Sequence, residues 1–191
     1  MARSRFAFVM VGSVLAACSG KDPYNPGEPL GTFHVTAALT QSSCGPVPNP
    51  WTFDVRLAHE GTTLYWIQGG APISGIVDGA SKVTLRTSEQ HELRPANERL
   101  RLPACLVVRE DELDVALAAE GEAALTDLGD ARRLAGKLVY RFTPTSESDC
   151  TDQTSALGGD FAALPCEVAY DVTATSAGTQ TGTKKANGAE R

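Results

Sequence analysis

Along most of this chain, apolar and polar residues take turns. Phe33, Val35, Ala37 and Leu39 share one parity, and Thr32, His34, Thr36 and Thr40 take the other. Phe53, Val55 and Leu57 alternate with Asp54 and Arg56, and Val83 and Leu85 alternate with Lys82, Thr84 and Arg86. The same beat returns at Leu138, Tyr140 and Phe142, and again at Val168, Tyr170 and Val172. Period two over five to eight residues predicts half-buried antiparallel strands. Turn residues separate the runs, at Glu60-Gly61, Gly69-Gly70-Ala71-Pro72, Asp78-Gly79 and Gly129-Asp130. Asp78-Gly79 is the strongest hairpin signal, since a type I′ turn needs positive φ at both central residues.

The pattern predicts about eight or nine strands, near 31–40, 51–60, 62–69, 72–78, 81–88, 104–109, 113–126, 133–144 and 165–175. Residues 111–128 are ambiguous. Leu113, Ala116, Leu117, Ala124 and Leu125 fit a helix, whereas Leu113, Val115, Leu117 and Ala119 alternate. Short strands joined by turns argue for an all-β antiparallel meander, with a closed barrel favoured over a two-sheet sandwich. One apolar face per strand then gives either a packed core or a small ligand cavity.

The first residues follow another rule. MARSRFAFVMVGSVLAACSG carries Arg3 and Arg5, then an apolar run from Phe6 to Val14 that is too short to span a bilayer. Leu15-Ala16-Ala17-Cys18 resembles the lipobox of bacterial lipoproteins, over the export segment only. The resemblance implies removal of 1–17, a lipid on the sulfur of Cys18 and acylation of the new amine. Ser19 in the next position implies transfer outward, to an outer membrane with the domain facing the periplasm. An ordinary secretory signal also ends in Ala-x-Ala, so the cysteine count bears on the choice. The chain has five cysteines. With Cys18 committed to lipid, Cys44, Cys105, Cys150 and Cys166 form an even set suited to an oxidising compartment. One acyl chain holds a protein only marginally, and the multiple acylation of that family meets the need.

These features divide the chain into a signal at 1–17, a lipidated cysteine and tether at 18–30, one β domain at 31–175 and a disordered tail at 176–191. Its stretch Ser19 to Pro29, punctuated by prolines, reaches at most about 35–40 Å. The Thr/Ser/Gly/Ala-rich tail has nothing to bury. Gly31-Thr32-Phe33 resembles the Gly-x-Trp opening of lipocalins in that one strand, with Phe replacing Trp, which matches a lipocalin-like barrel shape without assigning a family. The formal net charge is −6, and loss of Arg3 and Arg5 makes the remainder more acidic. That balance argues against nucleic acid as a partner.

Four cysteines allow three pairings. Cys150 and Cys166 flank a polar loop, which favours that bond, with Cys44–Cys105 as its complement. In the chain-entropy model these closures contribute ~3 and ~4 kcal/mol. No Cys-x-x-Cys suggests redox work.

No catalytic, metal or cofactor residues emerge. His34 lies on a polar parity, His59 near a turn and His91-Glu92 in a linker, none with zinc spacing. Glu110-Asp111-Glu112 and Asp149/Asp152 read as solvated turns without calcium-loop spacing. Tyr65 and Trp66 are adjacent and so face opposite sides of a strand. Loop 88–103, with Arg94, Arg99 and Arg101, reads as a basic crossover able to contact a partner. The expected function is a lipid-anchored, non-enzymatic β domain binding a small apolar ligand or an envelope partner. The alternatives are a packed scaffold acting through protein contacts and, third, an envelope hydrolase with no nucleophile–base pair to nominate.

Overall fold

A computed structural model describes residues 22–122 and 125–177. The signal segment, Cys18 and the tail beyond 177 therefore lie outside the described residues. Eight strands follow in order: β1 (Glu28–Ser42), β2 (Trp51–Glu60), β3 (Thr63–Ile67), β4 (Ile73–Ile76), β5 (Lys82–Arg94), β6 (Cys105–Ala118), β7 (Arg133–Pro144) and β8 (Cys166–Ser176). All pair antiparallel in one sheet of order β4-β3-β2-β1-β8-β7-β6-β5, which curls into a nearly closed barrel. The all-β expectation holds.

The ends of the chain are what join the barrel. β1 pairs with β8 over most of its length, and β1 starts at Glu28, three residues inside the expected tether. The open seam falls instead between β4 and β5, consecutive strands with no ladder between them. Gly75 marks their contact: a Cβ there would meet the Thr84 carbonyl oxygen at 2.6 Å and Val83 Cγ2 at 2.7 Å. The expected type I′ hairpin at Asp78-Gly79 does not form. The Asp78 carboxylate accepts from the Ala80 and Lys82 amides at 2.9 and 2.8 Å, and positive φ falls on Ser81. The aspartate side chain thus builds the turn in place of a paired ladder.

The apolar parity of each strand faces inward. Phe33, Val35, Val55, Leu57, Leu64, Leu85, Val115, Leu138 and Val172 are among the residues that fill the barrel. Phe33, Val35 and Leu64 have no solvent exposure. The interior is a packed core.

One expectation about β6 and one about β5 are corrected. The predicted strands 104–109 and 113–126 are one strand ending at Ala118, followed by a 3₁₀ turn at Glu120–Glu122, so neither an α-helix nor a strand occupies 119–122. The supposed linker from 88 is strand as far as Arg94, and only 95–104 is a connection. Polar side chains hid both facts: Arg109 to Glu112 interrupt the apolar beat of β6 while the ladder to β7 runs through them without a shift, and Ser88 to Glu92 interrupt that of β5 while its ladder to β6 continues.

The disulfides are Cys44–Cys166 and Cys105–Cys150, not the pairing expected from loop length. Strand neighbourhood decides it. Cys166 opens β8, whose Val168 lies opposite Ser42 of β1, so it meets Cys44 just beyond. Cys105 opens β6, and the chain leaving β7 at Pro144 turns back along it, with the Thr145 amide donating to the Leu106 carbonyl at 3.0 Å. That return carries Cys150 to Cys105. The loop after β7 is further pinned by the Ala162 amide donating to the Cys44 carbonyl at 2.7 Å and by Phe161 against Phe142.

Candidate functional site

Unequal strand lengths create an opening in the barrel. β3 and β4 have 5 and 4 residues, while β5 and β6 have 13 and 14. The short pair covers β5 only near Thr84, and the upper half of β5 runs on without a strand on that side. Inner faces of β5 and β6 that a complete barrel would enclose are left open there. The result is a notch of about 420 Å³, lined by Trp51, Trp66, Gln68, Gly70, Ala71 and Ile73 on one wall and by Thr87, Glu89, Arg109, Asp111 and Tyr140 on the other. A recess of about 70 Å³ continues inward past Leu85, Leu113 and Leu138.

The inward row of β6 reads Cys105, Val107, Arg109, Asp111, Leu113, Val115 and Leu117, so two charges stand on the apolar parity. Being two residues apart on a strand, they share a face. Arg109 donates from Nε to Asp111 Oδ1 and from Nη2 to Oδ2, both at 2.7 Å. The side chains are 38% and 21% exposed, so the pair sits at the edge of water rather than in the core. The guanidinium lies 4.7 Å from the centroid of Tyr140, a cation–π distance. Burial opposes the Arg109 charge, but the hydrogen bonds and charge of Asp111 outweigh it and raise the guanidinium above its ordinary value. Burial, reinforced by the Asp111 charge, pushes the Tyr140 hydroxyl well above the usual tyrosine range.

Aromatic rings close the barrel beneath. Trp51 lies 4.4 Å from Phe53, 5.9 Å from Tyr170 and 6.2 Å from Tyr140, and Phe53 meets Trp66 edge-on at 6.2 Å. Trp66 is only 5% exposed while Tyr65 is half-buried on the outer side, as adjacent strand residues must be. One wall is thus mainly apolar and aromatic with Gln68 as its polar member, and the other carries Thr87, Glu89, Arg109 and Asp111 beside Tyr140.

The other sequence candidates are scattered. His34 pairs with Asp54 at 2.8 Å on the outer face, and His59 Nδ1 lies 3.4 Å from the Gly61 carbonyl oxygen. His91 extends the inner row of β5 beyond Glu89, its Nε2 3.7 Å from Glu89 Oε2. Asp149 accepts from the Thr151 amide at 3.1 Å, and Asp152 Oδ2 lies 2.7 Å from Arg94 Nε. The acidic run at 110–112 is no turn. It is mid-strand, with Asp111 pointing to the notch and Glu112 outward between Arg86 and Arg141, at 2.9 and 3.0 Å. Among the described residues, no three His, Cys, Asp or Glu side chains gather as a metal site. Larger hollows on the outer wall, of about 550 and 470 Å³, are floored by small strand residues such as Ala116 and Ala135 and are lined by no Phe, Tyr or Trp.

Sequence reasoning missed Arg109 and Thr87, and took Asp111 for part of a solvated turn. The signal was available: charges on the buried parity of a strand need a reason to be there.

Fold and site together define a disulfide-stapled antiparallel β-barrel with an aromatic, charged notch in its wall. No family model, curated protein or solved structure matches the chain. No helix among the described residues is long and apolar enough to cross a membrane.

Proposed function

We propose that this chain is a lipid-anchored protein of the bacterial outer membrane, facing the periplasm, whose barrel is a non-enzymatic binding domain that takes a small ligand in the notch. The observation that carries the binding half is the Arg109–Asp111 pair on the inner parity of β6, beside Trp51 and Trp66. A packed interior leaves no lumen for a ligand, so the notch is the place that offers concave surface with few, convergent polar groups. The anchoring half rests on Leu15-Ala16-Ala17-Cys18 and Ser19. Both disulfides suit an oxidising compartment.

A second reading, a scaffold acting through protein contacts, draws support from the same filled core and from exposed Leu100 and Leu157 in the loops at 72% and 65%.

The test uses the full chain produced with its own leader and weighed under native and denaturing conditions. Acyl mass on Cys18 that vanishes in Cys18→Ser, together with loss of membrane association, supports the anchor. A mass released on denaturation, and lost in Thr87→Trp, supports binding in the notch. A bare lipidated chain that co-purifies with a protein moves the assignment to the scaffold, and an unlipidated Cys18 removes the anchor.

A further inference from the structure

We infer that the notch takes a neutral saccharide, a deeper reading that rests on the proposed binding role of this site. The inference follows from what each wall excludes. An anion would meet the carboxylates of Asp111 and Glu89, and a cation would meet the Arg109 guanidinium already seated over Tyr140. A wholly apolar ligand would strip water from all three charges without replacing their hydrogen bonds, which is costly. A ligand that is uncharged, apolar on one side and rich in donors and acceptors on the other meets none of these penalties. A sugar ring is built that way: its C–H face lies on aromatic rings while its hydroxyls project around the edge.

The polar groups of the notch suit hydroxyls. Arg109 spends Nε and one Nη2 hydrogen on Asp111, leaving Nη hydrogens to donate. Each Asp111 oxygen accepts one of these bonds and keeps a lone pair for a hydroxyl. Gln68, on the exposed loop after β3, adds an amide, and Thr87 adds a hydroxyl that both donates and accepts. Because Arg109 and Asp111 hold each other, neither must be ordered by the ligand, and less of the interaction is lost to immobilisation. Opposite them, the partly exposed Trp51 supplies ring surface, with Trp66 almost wholly buried behind it against Phe53 and Gly70 and Ala71 at the entrance.

The chain carries its own reporter. Its only tryptophans are Trp51 and Trp66, and both line the notch. The experiment titrates the oxidised full chain, held in a detergent without a sugar headgroup, and follows tryptophan fluorescence. The probes are chitotetraose, cellotetraose and maltotetraose, with dodecanoic acid and tetramethylammonium as competitors of other chemistry. The expected result is a saturable shift with at least one oligosaccharide, weakened about tenfold or more by Asp111→Asn and by Gln68→Ala, and unchanged in His34→Ala on the outer face. Thermal melts establish that each variant folds, and Gln68→Ala, on an exposed loop, carries the test should Asp111→Asn fail to fold. A shift with dodecanoic acid or tetramethylammonium and none with any oligosaccharide overturns the saccharide assignment and leaves the notch a binding site. Silence with every probe overturns the saccharide as well, and silence joined to a chain that carries no releasable mass removes the binding reading itself.

Discussion

If Arg109 and Asp111 are kept for a ligand rather than for the fold, replacing both with apolar residues must cost the fold almost nothing. The perturbation is a cycle of Asp111→Leu, Arg109→Met and the double variant. Two charge-assisted hydrogen bonds at 2.7 Å join the pair, with side chains 38% and 21% exposed. A fully exposed pair contributes roughly 0.2–1 kcal/mol and breaking a buried one costs roughly 3–5 kcal/mol. Intermediate exposure places each single loss near 1–2 kcal/mol, most of it the cost of leaving the other charge unpaired beside Tyr140. The double variant removes that stranded charge and continues the apolar row from Val107 to Leu113, so its stability returns to within about 1 kcal/mol of the parent or exceeds it. Urea unfolding followed by tryptophan fluorescence measures all four corners, and unchanged m-values license the comparison. A double variant less stable than either single would refute the reasoning, since the pair would then be a structural staple. Recovered stability with lost ligand binding is the expected outcome.

Three further outcomes are expected. Removing Cys44–Cys166, which spans 122 residues, costs about 5 kcal/mol in the chain-entropy model, and removing Cys105–Cys150, which spans 45, about 4; non-reducing peptide mapping of each paired Cys→Ser variant should show the other bond intact, and a Cys150–Cys166 peptide would contradict the fold. Gly75→Ala places a methyl 2.6 Å from the Thr84 carbonyl oxygen, so β4 must lift from β5 at a cost of about 1–3 kcal/mol, read as a lower urea midpoint; a neutral effect would mean the seam is already loose. Hydrogen bonds from Arg86 and then Arg141 hold the Glu112 carboxyl below its ordinary value, so its contribution is present above the usual glutamate range and is lost as pH falls through the lowered value; Glu112→Gln should cost under about 1 kcal/mol near neutrality and flatten the acid side of the stability curve, whereas a loss confined to alkaline pH would contradict the assignment.

Much of this barrel was legible in the alternation, because burial on one face writes itself into every second residue. Phe33, Val35, Val55, Val83, Leu138 and Val172 all point where their parity says. What the pattern could not give was adjacency. The disulfide pairing depends on β8 lying beside β1, a relation across more than a hundred residues that loop length does not encode. The Asp78-Gly79 signal failed for a related reason: residues suited to a tight turn were used where the strands on either side do not pair. The notch was hidden twice. Its shape comes from a mismatch of strand lengths, and its charges broke the very beat by which β6 would have been recognised as one strand.

That last coincidence is physical. An unbroken apolar row on β6 would demand that β3 and β4 be long enough to cover it, giving a closed barrel with no site. Short β3 and β4 with an unbroken apolar row would leave a greasy slot beside the free edge of β5, an invitation to aggregate. Charges at 109 and 111 resolve the conflict: they make the uncovered stretch wettable while Leu113, Val115 and Leu117 keep the covered stretch apolar. Wettability alone, however, would be met by lysine or glutamate pointing into water. The pair found here locks itself at 2.7 Å, leans on Tyr140 and lines the same notch as Trp51 and Trp66. Solubility accounts for a polar row, and the self-locked pair beside Tyr140 is the feature on which the proposed ligand site rests.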